Sequence, residues 1–173
     1  KGRLVEGVST LNRETSDLKR RETERKQSVD ADQEARSLLT SILESTADGI
    51  LVVDNRGKVI IFNKKFLSLW RIPESLAAKQ DDKLLLDHVL NQLKDPIRFI
   101  EKVEQLYSQP EAVSFDVLEF IDGRVFERFS QPQRRGSDIT GRVWSFRDVT
   151  DRVRADEVQR RNREAAERLA EEM

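Results

Sequence analysis

Cysteine is absent from the 173 residues, and histidine occurs once, at His88. The first absence excludes disulfides, thiolate metal sites and a cysteinyl adduct to a flavin, and leaves the redox compartment open. With a single imidazole, a metal site built from His/Cys spacing is excluded as well. No apolar run approaches the ~20 residues of a membrane-spanning helix, and no secretory signal pattern is present. HExxH, a phosphate-binding glycine loop, a phosphoacceptor with an ATPase segment and a cyclase signature are all missing, which reads as a non-catalytic chain. Proline occurs four times and glycine seven, and neither occurs between residues 8 and 48 or after Gly141. Basic and acidic residues, 31 and 32 in number, are interspersed, so no basic face for nucleic acid is indicated.

Charged residues make up 36% and hydrophobic ones 37%, too polar an average for one compact ball. The charge is concentrated at the two ends, however, and the stretch 38–150 has the size and apolar content of a domain with its own core. Three segments follow: 1–37, a charged coiled-coil helix; 38–150, a globular domain; and 151–173, a second coiled-coil helix. In the first, Leu4, Val8, Leu11, Leu18, Leu39 and Leu43 fall on a heptad seam with a polar middle. In the last, Val158, Asn162, Ala165 and Leu169 step by threes and fours. An asparagine in such a seam fixes register and favours parallel pairing. Charged helix at both ends suggests a piece of a longer protein.

Between them the periodicity changes repeatedly. Asp48-Gly49 stops the first helix, Ile50-Leu51-Val52-Val53 and Val59-Ile60-Ile61-Phe62 are strands, and 54–57 is the turn between them. Asn63 caps a short helix ending before Pro73. Helical spacing follows at Leu85, Leu86, Val89, Leu90 and Leu93, and Asp95-Pro96 opens another helix. Strands are predicted over 113–120, 125–130 and 142–147, with Asp122-Gly123 as a two-residue hairpin turn and 134–140 as a polar loop. The fold class is α+β: a five-stranded antiparallel sheet with its helices in one central insertion and long helices at both termini.

The motifs in this order resemble a PAS domain with its C-terminal PAC portion, over residues 38–151. They are Asp48-Gly49-Ile50, Asp54 with Gly57, Asn63 with Phe66, Asp122-Gly123, Pro132 and Asp148-Val149-Thr150. Residues 81–110 are similar to the PAS modules of bacterial sensor histidine kinases and diguanylate cyclases. The resemblance implies a ligand pocket between the inner face of the sheet and the central helices. It also implies a signal junction at Asp148, Val149 and Thr150 into an output helix, with Asp48 and Gly49 at the incoming side.

Strand alternation on a two-residue turn puts Phe115, Val117 and Glu119 on one face with Phe126, Arg128 and Ser130. On the last strand, the resemblance implies that Trp144 and Phe146 face inward, and the candidate pocket residues are Phe66, Trp70, Phe99, Phe115, Glu119, Phe126, Arg128, Trp144 and Phe146. Glu119 and Arg128 are expected to lie nearly opposite each other. Arg128 either clamps a carboxylate ligand with its planar fork or forms a cross-strand salt bridge on the exposed face. His88 is the one available haem ligand, and Trp70 or Trp144 could hold a non-covalent flavin, though tryptophans are more often core.

Two readings of different class follow. In the first, the chain is the sensory or relay module of a cytoplasmic part of a signal-transduction protein, a sensor histidine kinase. It acts as a parallel homodimer, binds a small molecule, and passes the signal to an output domain beyond residue 173. In the second it is a ligand-free dimerisation or interaction module whose cavity its own aromatics fill. A haem or flavin redox sensor is a third. No covalently bound cofactor, nucleic acid or membrane contact is expected within the chain, and the parent protein is a histidine kinase or diguanylate cyclase, itself membrane-anchored or not.

Overall fold

The computed structural model describes residues 2–79 and 81–171, and the side chains of residues 2–11 and 82 lie outside that description. Two units are distinct, residues 1–43 and residues 44–173. The first unit is helical: α1 runs without a break over Gly2–Glu44, as expected where proline is absent and the glycines, Gly2 and Gly7, fall near the start of the run. Its seam residues Leu18 and Leu39 are 65% and 61% exposed. The expected seam positions Leu4, Val8 and Leu11 lie outside the described side chains.

The second unit is a five-stranded antiparallel sheet in the order β2-β1-β5-β4-β3. Its strands are β1 (Gly49–Asp54), β2 (Val59–Phe62), β3 (Ser114–Glu119), β4 (Val125–Arg135) and β5 (Asp138–Asp148). Between β2 and β3 come α2 (Lys64–Leu69), α3 (Glu74–Ala77), α4 (Asp82–Leu90) and α5 (Pro96–Ser108). The chain then leaves β5 into α6 (Thr150–Glu171) after one intervening residue. Asn63 caps α2 as its position promised: Oδ1 accepts from the Phe66 N–H at 2.9 Å and from the Ile50 N–H at 2.8 Å. The same side chain therefore ends β1's edge pairing and starts the next helix, which explains a 1% exposed asparagine.

Two local expectations are corrected. The stretch 134–140 is not a loop. β4 continues to Arg135 and β5 starts at Asp138, so the turn is Gly136-Ser137, with Gly136 at φ 63°. Pro132 sits inside β4 opposite Arg142 because β3 stops pairing at Ser130, leaving that edge of β4 free of a partner that needs an N–H. The β3–β4 connection is three residues, 121–123, closed by the Phe120 N–H to the Arg124 carbonyl and the Gly123 N–H to the Phe120 carbonyl. Glu119 therefore faces Val125, and Leu118 faces Phe126. A loop one residue longer than expected turns every β3 side chain over.

The core lies between the inner face of the sheet and the α2–α5 layer. Trp70, Phe120 and Phe126 are fully buried there, and Trp70 meets Phe99, Phe126 and Phe146 edge-on at 5.2–6.4 Å between ring centroids.

Candidate functional site

A cavity of about 390 Å³ opens between β1, β2, β5 and the helices α2, α4 and α5. This is within the size range of small-molecule sites. Leu51, Val53 and Val59 from the first hairpin, Phe62, Phe66, Leu67 and Trp70 from the α2 region, and Leu85, Leu86 and Val89 from α4 line it. Val103 and Tyr107 of α5 and Trp144 and Phe146 of β5 complete the apolar wall, and Arg56, Gly57 and Lys83 complete the lining. The exposed members are Arg56, Lys83 and Leu86, which mark the mouth. Tyr107 is half-buried; burial raises its hydroxyl above the usual tyrosine value, while nearby Arg142 and a side-chain hydrogen bond with Trp144 work the other way.

Of the nine expected pocket residues, Phe66, Trp70, Trp144 and Phe146 line this cavity. Phe126 is buried behind it, against Phe120 at 4.3 Å and Trp70 at 5.7 Å between centroids. Phe115 and Glu119 are on the outer face: Phe115 is 60% exposed, and the Glu119 carboxylate meets the exposed Lys94 at 3.5 Å. The three-residue hairpin loop is the cause, since it swaps the parity of β3. For the same reason Arg128 faces Asp116 and not Glu119.

Arg128 is inward and 1% exposed, and neither sequence reading describes it. Its Nε and Nη2 donate to the two carboxylate oxygens of Asp116 at 2.8 and 2.6 Å. The guanidinium stacks on Phe99 at 4.5 Å and lies 5.3 Å from Trp144. The fork is thus satisfied by an internal carboxylate and two rings, with only Nη1 lacking a partner. Phe99 and Arg128 line a separate, more polar groove of about 490 Å³, beside Asp95, Arg98 and Glu119. His88 lies off the cavity wall, and its Nε2 is 2.9 Å from the Arg71 carbonyl. That geometry gives it a backbone partner at a corner where Arg71 takes φ 49°, rather than an open face toward a haem. Among the described residues, no three His, Asp or Glu side chains are grouped to hold a metal ion.

The junction residues converge on one end of the sheet. Asp48 accepts from Arg147 Nε and Nη2 at 2.8 and 3.0 Å and from Ser145 Oγ at 3.2 Å. The Arg147 hydrogen bond holds its carboxyl below the usual aspartate value; burial opposes this, and the Arg147 charge and Ser145 assist. Gly49 pairs with Phe146, and a Cβ there would come within 2.9 Å of the Phe66 Cα. At the other side, Asp148 Oδ1 accepts from the Thr150 N–H at 2.9 Å and from its hydroxyl. Thr150 Oγ1 in turn accepts from the Val125 N–H at 3.0 Å, and the Val149 N–H donates to the Val125 carbonyl at 2.9 Å. Val149 and Thr150 are buried, so the first turn of α6 is anchored to the start of β4.

Sequence reasoning missed the cationic supports of this architecture. Arg142, 3% exposed, donates to the carbonyls of Leu106, Gln109, Pro110 and Ala112 and to Ser130 Oγ, so it closes the C-terminal end of α5. Arg124 donates to Asp122, to the Leu69 carbonyl and to Gln92 Oε1, and stacks on Phe120 at 4.3 Å. The available signal was parity. Arg142 shares the alternation of Trp144 and Phe146, so it had to point inward with them.

A family model described as the PAS fold matches residues 43–157. No curated protein matches the chain. Among solved structures, the PAS domain from Bordetella pertussis BvgS is 18% identical, with a TM-score of 0.53 over 76% of this chain and 98% of that one. The PAS domain of an HTR-like protein from Haloarcula marismortui is 18% identical, with a TM-score of 0.52 over 71% of this chain and 98% of that one. The sensor region of a sensor histidine kinase is 18% identical, with a TM-score of 0.47 over 59% of this chain, and the chain spans 39% of that region. At such identities the likeness concerns the fold.

Proposed function

The chain belongs to the PAS fold family, and from that premise we propose that it is a ligand-responsive relay module of a sensor histidine kinase. It is regulatory and non-catalytic, and its output domain lies beyond residue 173. The proposed divisions are 1–37 and 151–173 as coiled-coil helices of a parallel homodimer and 38–150 as the sensing domain. No helix among the described residues is long and apolar enough to cross a membrane, and the module is assigned to the cytoplasmic side of its parent protein.

One observation carries this reading. The strand that supplies Trp144 and Phe146 to the cavity wall ends at Asp148, and α6 begins at Thr150. A ligand that moves those two rings moves the strand end held by the Asp48/Arg147 and Asp148/Thr150 contacts, and through it the first turn of α6. A differential affinity of a few kcal/mol between two arrangements suffices to shift their populations. The exposed seam of α6, with Val158 at 57% and Leu169 at 65%, supports pairing with a second copy.

The rival, a ligand-free dimerisation module, is supported by the fully buried Trp70, Phe120 and Phe126, which already fill the core behind the cavity. A spin label distinguishes the two. The cysteine-free chain permits a unique label through Arg168→Cys on exposed α6. Distances between the two copies are compared with the cavity empty and with it filled by Val103→Trp. A shifted distance distribution is expected. An unchanged distribution supports the rival, and a monomer in sedimentation rejects the dimeric relay.

A further inference from the structure

We propose, resting on the sensory reading above, that the cavity takes an amphipathic carboxylate. Its hydrocarbon body lies inside, and its single anionic end is held at the mouth by Arg56 and Lys83. Apart from the Tyr107 hydroxyl and the unpartnered Trp70 Nε1, the interior wall is hydrocarbon and aromatic, and the lining contains no aspartate or glutamate. A charged head buried there would lose its hydration without compensation. The two formal charges in the lining are both positive, and both are on exposed residues at the rim. The site is therefore polarised along its length, apolar within and cationic at the opening.

Among the described side chains, neither rim cation is fixed in an ion pair. Arg71, Arg124, Arg128, Arg134, Arg147 and Arg152 each hold a carboxylate. Neither Arg56 nor Lys83 forms an ion pair with a described side chain. The acidic group nearest in sequence to Arg56 is Asp54; its Oδ1 is occupied by the backbone N–H groups of Arg56 and Lys58 at 2.8 and 2.9 Å, and the Arg56 guanidinium acts on it only through space, without a contact. A guanidinium fork and an ammonium lining the same cavity match a carboxylate better than a neutral hydroxyl, by charge and by the number of donors. The volume of 390 Å³ accommodates a body of about a dozen heavy atoms if each takes a water-sized share. A medium-chain alkyl carboxylate fits that description.

The chain's two tryptophans, Trp70 and Trp144, both line the cavity, so their fluorescence reports its occupancy. Protein stripped of co-purified lipid is titrated with decanoate and with 1-decanol, which share the chain and differ in charge. Decanoate is expected to bind at least about tenfold more tightly at low salt, with the advantage shrinking as salt screens the exposed rim. In the Arg56→Gln/Lys83→Gln double variant that advantage should vanish while decanol binding is unchanged. Equal binding of the two by the wild-type protein, or a decanoate preference that survives the double variant, overturns the carboxylate assignment and leaves ligand sensing intact. If neither probe changes the fluorescence and native mass spectrometry finds no co-purified molecule, both the assignment and the sensory reading fail.

Discussion

Arg128 and Asp116 illustrate how much one charged pair can decide in this domain. Arg128 is 1% exposed while the Asp116 side chain remains 28% exposed. Removing the carboxylate leaves a buried cation with two rings and no counter-charge. Asp116→Ala should therefore cost about 3 kcal/mol, toward the low end for a broken buried pair because water reaches the aspartate side. Urea denaturation measures it, and Arg128→Met in the same background should recover part of the loss. Asp48 behaves differently because its partner Arg147 is 61% exposed; solvent screens that pair, and its contribution is small. Its direction with pH is nevertheless defined. The folded carboxyl titrates below the unfolded one, so the contribution is complete above the unfolded value and is lost as pH falls through the folded value. The melting temperature of the wild type should drop more steeply with acidification from about pH 5 than that of Asp48→Asn. Parallel curves would show that the pair contributes nothing to the junction.

At the scale of the element, the β3–β4 hairpin and the end of α5 are each held by a few groups. Gly123 takes φ 89° in the three-residue loop, and a Cβ there would meet nothing closer than Arg154 at 3.8 Å. The cost of Gly123→Ala is then backbone conformation alone, roughly 1–2 kcal/mol, and Gly123→Asn should cost less because asparagine tolerates that region. Equal losses for the two, in thermal or urea melts, would place the strain elsewhere. Arg142 donates to the Leu106, Pro110 and Ala112 carbonyls at the end of α5 and the following turn, and shares the Gln109 carbonyl with the Ala112 N–H. Arg142→Met keeps the apolar stem and removes the donors, at about 2–4 kcal/mol. Amide exchange should accelerate in the last turn of α5 before it does in β5. Uniform acceleration across the sheet would instead mean that Arg142 supports the whole domain.

At the scale of the molecule, the two long helices expose apolar residues that a single chain leaves uncovered: Leu18, Leu39, Val158 and Leu169 are 57–65% exposed. Isolated helices of this polarity are marginal in water, so self-association is the expected state. Sedimentation should show a dimer whose population depends on concentration. Asn162→Leu should strengthen that dimer while loosening its preference for parallel register, since the polar seam residue favours specificity over stability. An unchanged association constant would remove Asn162 from the interface.

Sequence alone determined the element order, the antiparallel sheet, the Asn63 cap and the helix start at Asp95, while the PAS resemblance supplied the inward positions of Trp144 and Phe146. The elements and caps follow from local rules: periodicity and capping chemistry. Sequence also placed the change from helix to sheet at Asp48-Gly49 and from sheet to helix at 148–150, because turn formers and a helix start are written in adjacent residues, while their role as a signal junction came from the resemblance. Which face β3 presents was not legible. Two-residue and three-residue turns both suit Asp122-Gly123, and the choice depends on Phe120 pairing with Arg124, whose side chain is drawn to Leu69 and Gln92 far away in the chain. Only the tertiary structure could therefore place Phe115 and Glu119 outside and set Asp116 against Arg128. It alone brought Arg56 of a hairpin turn and Lys83 of α4 to one opening, because proximity between elements arises from packing and leaves no periodic trace in either segment.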